Sequence, residues 1–576
     1  MKRTYLALAI VLAIGSHSCK SFKGATVTVT PNPLEVHADS VKFSVKANIP
    51  AKSGIKKGGI YTGELVIKNG ANTFTLNKIN VPYEKYPNIK KEGASLSTSG
   101  ETAFNDKMDG GNLIAVNKYS RKKKNVDLPD LTLAPCCITT SRLVYENDQF
   151  LMTKHSYVKE VPLTLTAVFQ FPRDVFAIQP TEFDKSEIRN IGDFISKRFP
   201  ATSITVVGFA SPEGPFKRNQ MLSVNRSKEV VKWLTDQLKN YGYSAYLDST
   251  FFKISTTSED WDGFKANLRS MPFSEDVKSQ IIEIASAGYD EDLKEKKIMA
   301  LVGGYKNVEE ILAPLRRATI RLEGYEPRRT DAQIDSISAI FANGGNKGTL
   351  REIFQKEEWL YAASRITNNT ARRDMLKEFT QAYKEEYRAF NDLGVLYLKE
   401  GNTEEGFNAL SEANRLSANN YIVQNNLGVA YKNKKNIAEA KKLYENSLSG
   451  TSTPEAQFNY GVILEKKAMY SAATERFGNS RSLGGALYNS GLCKLLMGDF
   501  AGAKTDLETA IREDQTQALY YYVLAIVGVR TGASDIMAVN LKKAATLDSK
   551  FGTKARNDLE FRKQWESAEF KAAVGN

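Results

Sequence analysis

Histidine and cysteine are scarce in this chain, with three His and four Cys in 576 residues. His37 and His155 stand far apart, and the remaining His17 lies close to the start. No Cys/His spacing suits a zinc site. The Cys occupy positions 19, 136, 137 and 493, which is no disulfide framework. The adjacent Cys136 and Cys137 could join only through a strained bridge, and the sequence leaves their redox state open. No G-x-S-x-G, H-E-x-x-H or Walker loop occurs. These absences nominate no catalytic residue, metal or cofactor, and they lower the expectation of an enzyme. Long apolar runs are missing too, so no segment beyond the first residues is apolar enough to cross a bilayer. Acid is short relative to base, 66 Asp+Glu against 79 Lys+Arg, for a net charge of +13. That balance favours acidic partners such as anionic lipid or wall polymer. The most basic run, Arg121-Lys122-Lys123-Lys124, reads as a solvated loop.

What is present begins with the N-terminus. Met1-Lys2-Arg3 is a short basic start, Tyr5 to Ile14 is apolar, and Gly15-Ser16-His17-Ser18 leads into Cys19. That order reads as a secretory signal, which argues against nucleic acid as a partner. The Ser18-Cys19 step resembles a bacterial lipobox, although His17 departs from its usual small residue. The resemblance makes residues 1–18 a lipoprotein signal peptide and Cys19 the acylated residue. The alternative is an ordinary signal with an incidental Cys. In lipoproteins of the Bacteroidota type, surface export goes with acids after the acylated Cys. Lys20-Ser21-Phe22-Lys23 stands here instead. The resemblance therefore favours the periplasmic face of the outer membrane over the cell surface.

Residues 19–160 read as β-rich. Val41-Lys-Phe-Ser-Val-Lys-Ala47 alternates apolar and polar residues, and two further alternating runs flank Asn69-Gly70-Ala71-Asn72, a hairpin signal. This spacing predicts a small sandwich. The polar stretch from Lys90 to Gly111 is expected to be a long loop, with strands resuming near Leu131, Arg142 and Pro162. The region is expected to be a spacer, with an adhesive surface as the alternative.

Residues 161–326 alternate strand and helix. Leu163 to Phe171 and Ser203 to Phe209 read as strands, Ser186 to Phe199 as a helix, and Leu315 to Leu322 as a closing strand. Between them lies Gly208-Phe-Ala-Ser-Pro-Glu-Gly214, followed by Asn219-Gln-Met-Leu-Ser-Val-Asn-Arg226. This arrangement resembles the OmpA-like, peptidoglycan-binding domain, an α/β sandwich, and Arg316-Arg317 matches that family's closing strand. The resemblance implies a wall-peptide site in which Arg226 pairs with a carboxylate, with Asn219 and the helix start beside it. Ser211 stands where the family has Asp, so the partner for the ligand's ammonium is missing, and Glu213 is the candidate substitute. The alternative is a structural domain in which Arg226 braces a loop. Residues 243–315 exceed the family's length and read as an insertion that covers the site or faces a partner. Residues 327–352, with Asn343-Gly344-Gly345, read as a linker.

Residues 353–576 carry the clearest pattern. Asp392-Leu-Gly394, Asn426-Leu-Gly428, Asn459-Tyr-Gly461, Asn489-Ser-Gly491 and Val523-Leu-Ala525 recur at steps of 34, 33, 30 and 34 residues. A period near 34 marks a helix-pair solenoid. Gly406, Ala440, Ala473, Ala503 and Met537 follow in register, then Leu410, Tyr444, Phe477, Leu507 and Leu541. The array resembles tetratricopeptide repeats, five in number, with a degenerate earlier one over Glu357 to Tyr387 and a capping helix over Lys554 to Ala573. The resemblance places Asn426, Asn459 and Asn489 on the concave face. There an amide can bind the backbone of an extended peptide through both donor and acceptor, or else brace neighbouring helices. Asp39, Asp248 and Asp335 each open a short pattern that resembles a glycosylation site of Bacteroidota-type envelope proteins.

The expected whole is a multidomain α+β chain with a sandwich-like region, an OmpA-like α/β sandwich and an all-α tetratricopeptide solenoid. As a Bacteroidota-type envelope lipoprotein it would be non-catalytic and lipid-anchored. It would touch peptidoglycan and recruit an outer-membrane or periplasmic protein complex through its repeats. A surface-exposed adhesive or fimbria-associated lipoprotein is the alternative.

Overall fold

The computed structural model describes residues 10–11, 26–51, 55–243 and 251–575. Cys19, most of the expected signal peptide and Asp248 lie outside the described residues. The chain divides into two compact units, residues 1–154 with 368–576, and residues 155–367.

The first unit opens with two antiparallel sheets. In one, Ser40–Ile49 pairs with Thr26–Thr30 on one side and Ala94–Ala103 on the other. The other runs Asn72–Pro82, Gly59–Asn69, Gly111–Arg121, Lys124–Cys136. Alternation in the sequence becomes inside and outside: Val41, Phe43 and Val45 are buried while Lys42, Ser44 and Lys46 are exposed. They share one core with Leu65, Ile67, Leu113 and Leu133 of the second sheet. The hairpin pairs Asn69 with Asn72 across Gly70-Ala71, and Gly70 takes the positive φ of 55° that the turn needs. The basic run Arg121–Lys124 is the turn of the next hairpin, and Lys122 to Lys124 are exposed.

Two expectations are corrected in this region. The polar stretch from Lys90 to Gly111 contains the strand Ala94–Ala103. Its inward positions are Ala94, Leu96, Thr98, Gly100 and Thr102, of which only Leu96 is a large apolar residue, so the alternation gives little signal. Around Arg142 there is a single turn, Thr140–Arg142, and no strand. Cys136 and Cys137 are buried and joined to each other. From Leu143 to Val158 the chain forms no strand or helix, so the β-rich region ends earlier than residue 160.

The rest of the first unit is helical. After Asn369–Ala382 come five helix pairs: Tyr387–Lys399 with Thr403–Leu416, Tyr421–Asn433 with Ile437–Gly450, Pro454–Lys466 with Tyr470–Gly478, Ala486–Met497 with Phe500–Glu513, and Ala518–Thr531 with Ser534–Leu547. The spaced glycines explain the pairing. A Cβ on Gly428 would lie 2.6 Å from the Tyr444 ring, and one on Gly461 would lie 2.7 Å from Phe477. Only a bare backbone lets the second helix bring a ring that close. The expected capping helix is broken into Ser549–Ala555 and Ala568–Val574 around a turn at Leu559–Phe561. Phe561 and Phe570 are buried there and close the array's core.

The second unit is built on a sheet ordered Glu160–Gln170, Arg317–Pro327, Ala201–Phe209, Phe252–Thr257. Its last two strands are parallel, and the helix Phe216–Asn240 lies between them in sequence. This helix and Ser186–Ser196 pack on the sheet through Ile188, Ile191, Phe194, Val230 and Leu234. The expected insertion at 243–315 is therefore shorter at its start, because Phe252–Thr257 belongs to the sheet. Its helices, Trp261–Leu268, Glu275–Ser286 and Glu291–Val302, form a core of their own around Phe264, Ile281 and Ile298. The expected linker at 327–352 is also corrected. Asp331–Ala342 is a helix opened by a capping box in which Thr330 and Gln333 bond each other's backbones. It pairs with Lys356–Arg365 through Arg365 and Asp335, so that helix stands in this unit.

Candidate functional site

The chain's own residues 143–154, here called the strap, run along the first helices of four of the five pairs. Asn489 Oδ1 accepts the Tyr145 N–H at 2.9 Å, and its Nδ2 donates to the Tyr145 carbonyl at 3.0 Å. Asn459 does the same for Gln149 at 3.0 and 2.7 Å, and Asn426 for Leu151 at 2.9 and 2.6 Å. Asp392, the acidic member of the series, accepts the Thr153 N–H at 2.9 Å. Gln149, Leu151 and Thr153 alternate, which is the period of an extended strand. Each Asn thus stands in for one residue of a neighbouring strand, satisfying donor and acceptor together.

The ladder is preorganised by its own helices. Asn425 and Asn391, one residue before Asn426 and Asp392, donate to the Gln149 and Leu151 carbonyls at 3.0 and 3.2 Å. They also accept from the next rung, Asn459 to Asn425 and Asn426 to Asn391, both at 2.9 Å. Asn391, Asn425, Asn426 and Asn489 are fully buried. Burial raises the Asp392 carboxyl above its ordinary value, against the bonds from Thr153 and Asn391 and the charge of Arg372.

Side chains add specificity along the strap. Glu146 pairs with Lys466 at 2.7 Å, and Asp148 pairs with Lys432. Burial opposes ionisation of Glu146, but Lys466 and Lys432 hold its carboxyl below the ordinary range. Tyr145 stands edge-on to Tyr488 and Tyr520. It lies against Gly485, whose φ of 88° and missing side chain leave the space its ring fills.

In the second unit, Ser211, Glu213, Asn219 and Arg226 are brought together but turned inward, between 1% and 9% exposed. Arg226 donates to the carbonyls of Val175, Phe209 and Pro172 at 3.0, 2.8 and 3.4 Å. Burial lowers its guanidinium to about 10, and nearby Arg316 pushes the same way. Ser211 donates to Glu213 at 2.6 Å, and Glu213 forms a two-point pair with Arg316 at 2.5 and 3.0 Å. The side chains that the resemblance assigns to a wall-peptide site are engaged here with internal partners. The start of the helix Phe216–Asn240 is occupied too. Gly214 N–H donates to Glu295 at 2.5 Å and Phe216 N–H to Asp292 at 2.7 Å, both acids coming from the insertion. Asn219 donates to Glu259 at 3.0 Å. Burial raises the Glu259 carboxyl to about 7, with Glu291 and Glu295 adding and the Asn219 bond opposing.

A tetratricopeptide-repeat family model matches residues 422–449, the second of the five helix pairs. No curated protein matches the chain. Among solved structures it is similar to YrrB, titled a TPR protein with an unusual peptide-binding site, at 16% identity, covering 33% of this chain and 97% of that one with a TM-score of 0.29. It is similar to PilW, titled a widely conserved type IV pilus biogenesis factor, at 12% identity, covering 42% and 99% with a TM-score of 0.28. MamA from Desulfovibrio magneticus RS-1 matches at 19% identity over 28% and 96%, with a TM-score of 0.27. The C-terminal array is a tetratricopeptide-type scaffold for protein–protein interaction.

Sequence reasoning placed Asn426, Asn459 and Asn489 of the tetratricopeptide groove but missed Asn391, Asn425, Lys432 and Lys466. The doublets Asn391-Asp392 and Asn425-Asn426 were the available signal. It also missed Glu259, Asp292 and Glu295, for which spacing in the sequence offers none.

Proposed function

We propose that this chain is a non-catalytic scaffold of a bacterial envelope, acylated at Cys19 and facing the periplasm from the outer membrane, whose tetratricopeptide groove recognises extended protein backbone. The observation that carries the reading is the two-point grip of Asn489, Asn459 and Asn426 on Tyr145, Gln149 and Leu151 of the strap. The ladder reads backbone, while Lys432, Lys466 and the Gly485 space select acids and an aromatic residue. Because the strap occupies the Asn ladder, a client of the same pattern binds there only when the strap is released.

A labelled peptide of residues 143–154 tests this. It should not bind the intact chain. It should bind a chain carrying Gln149→Pro and Leu151→Pro, which removes two strap N–H donors. Failure to bind the variant would sink the groove reading. The anchoring part is tested separately: Cys19→Ala should abolish acyl labelling and release the protein from the membrane fraction.

The OmpA-like reading of the second unit rests on the Asn219–Arg226 motif, which opens the helix after the strand Ala201–Phe209. A tether to peptidoglycan there requires the insertion to leave the helix start. Sedimentation with purified sacculi at physiological salt measures whether it does, and absence of the protein from the pellet would end the tether reading.

A further inference from the structure

Three carboxylates converge beside the buried cluster of the second unit. One oxygen each from Glu259, Asp292 and Glu295 lie within 4.8 Å of one another. Like charges this close repel unless a proton or a cation stands between them. The neighbouring cations are engaged elsewhere: Lys294 with Glu291 at 3.0 Å, Arg316 with Glu213 and Glu309, and Arg317 with Asp260 at 2.7 Å. Glu259 is 8% exposed, and its Oε2 is buried with no hydrogen-bond partner. The Trp261 indole N–H stands close enough to Glu259 to favour its charged form, but it donates at 2.6 Å to Glu291. A buried carboxylate oxygen left without a donor is a place for a proton, a water or an ion.

The three groups are also held as ligands are held. Asn219 fixes Oε1 of Glu259, Phe216 N–H fixes Oδ1 of Asp292, and Gly214 N–H and the Tyr305 hydroxyl fix Oε1 of Glu295. Such outer bonds orient carboxylates toward a metal. Asp292 is exposed, which leaves a path from solvent.

We propose that Glu259, Asp292 and Glu295 bind a hard divalent cation. The donors are all oxygen, which selects a hard cation. The ion latches the insertion to the start of the helix Phe216–Asn240 and so keeps the Ser211–Glu213–Arg226 cluster covered.

Terbium is the probe, because Trp261 lies beside Glu259 in sequence and bonds Glu291, where it can sensitise a bound lanthanide. In the full chain, excitation of tryptophan should give saturable terbium emission that calcium displaces. Asp292→Asn, at an exposed position, and Glu259→Gln, which keeps its bond to Asn219, should each weaken terbium binding by about tenfold or more. Trp261→Phe should remove the emission while calcium still raises the melting temperature. No emission, unchanged midpoints in both carboxylate variants, or emission that survives Trp261→Phe would each overturn the site.

Discussion

Asn426 holds one residue of the strap at both ends: its Oδ1 accepts the Leu151 N–H at 2.9 Å and its Nδ2 donates to the Leu151 carbonyl at 2.6 Å. The amide of Asn426 is itself fixed by Asn391, at 2.9 Å. Recognition of backbone by a rigid side chain makes the groove indifferent to much of the strap's sequence and strict about its conformation.

Removing a rung should therefore loosen the strap locally. Asn426→Ala leaves the Leu151 N–H and carbonyl short of partners, at a cost of about 1–3 kcal/mol. Hydrogen exchange should speed up across residues 145–153 while the sheets of the first unit keep their protection. Unchanged exchange there would mean that the ladder contributes no hold.

The repeat glycines should tolerate no side chain. Gly428→Ala and Gly461→Ala each press a Cβ into a buried ring, Tyr444 or Phe477. Overpacking of this kind costs about 1–3 kcal/mol. The denaturation midpoint of the array should fall in both variants, and more than in Gly478→Ala, where a Cβ meets nothing within 4 Å.

Glu465 should make the array less stable as pH rises. The residue is 1% exposed, and burial raises its carboxyl well above the ordinary 4.5, against a smaller opposing contribution from Cys493. The folded chain keeps a proton that the unfolded chain releases above 4.5. Stability is then greatest below that value and is lost as pH climbs through the raised folded value. Glu465→Gln cannot ionise, so its melting temperature should exceed that of the parent near pH 8 and approach it near pH 4. Parallel curves for the two proteins would refute this.

In the second unit the Arg316 ion pairs should matter to folding. Arg316 is 4% exposed and sits between Glu213 and Glu309. Glu213→Ala strips a buried cation of one partner and should cost about 3–5 kcal/mol. Glu309→Gln, at a half-exposed carboxylate, should cost far less. Equal denaturation midpoints for the two variants would contradict the assignment.

Much of the fold was legible where the signal is local. Gly428 and Tyr444, or Gly461 and Phe477, recur at fixed spacing because each pair of helices must solve the same packing problem. The recurrence of Asn426, Asn459 and Asn489 was legible for the same reason. The segment they hold was not, because residues 143–154 carry no period of their own and meet partners more than 200 residues away. Ala94–Ala103 was hidden by its mostly small or polar inward residues, and the helix Asp331–Ala342 by the glycines that follow it. Arg226 was found by motif, but a motif says nothing of what covers it. That depends on the carbonyls of Phe209, Val175 and Pro172, which meet it from 17, 51 and 54 residues away.

The strap precedes its groove by 239 residues at Thr153–Asp392 and by 344 at Tyr145–Asn489. At ordinary rates of synthesis that gap is on the order of tens of seconds. The two β sheets of the first unit, whose strands all end by Cys136, can form at once. The first unit cannot close until the last third of the chain has emerged, with the whole second unit made in between. A truncation anywhere in the array would strand a segment near the other end of the chain. Loss of a C-terminal repeat should therefore be felt first as proteolysis at Tyr145, far from the cut.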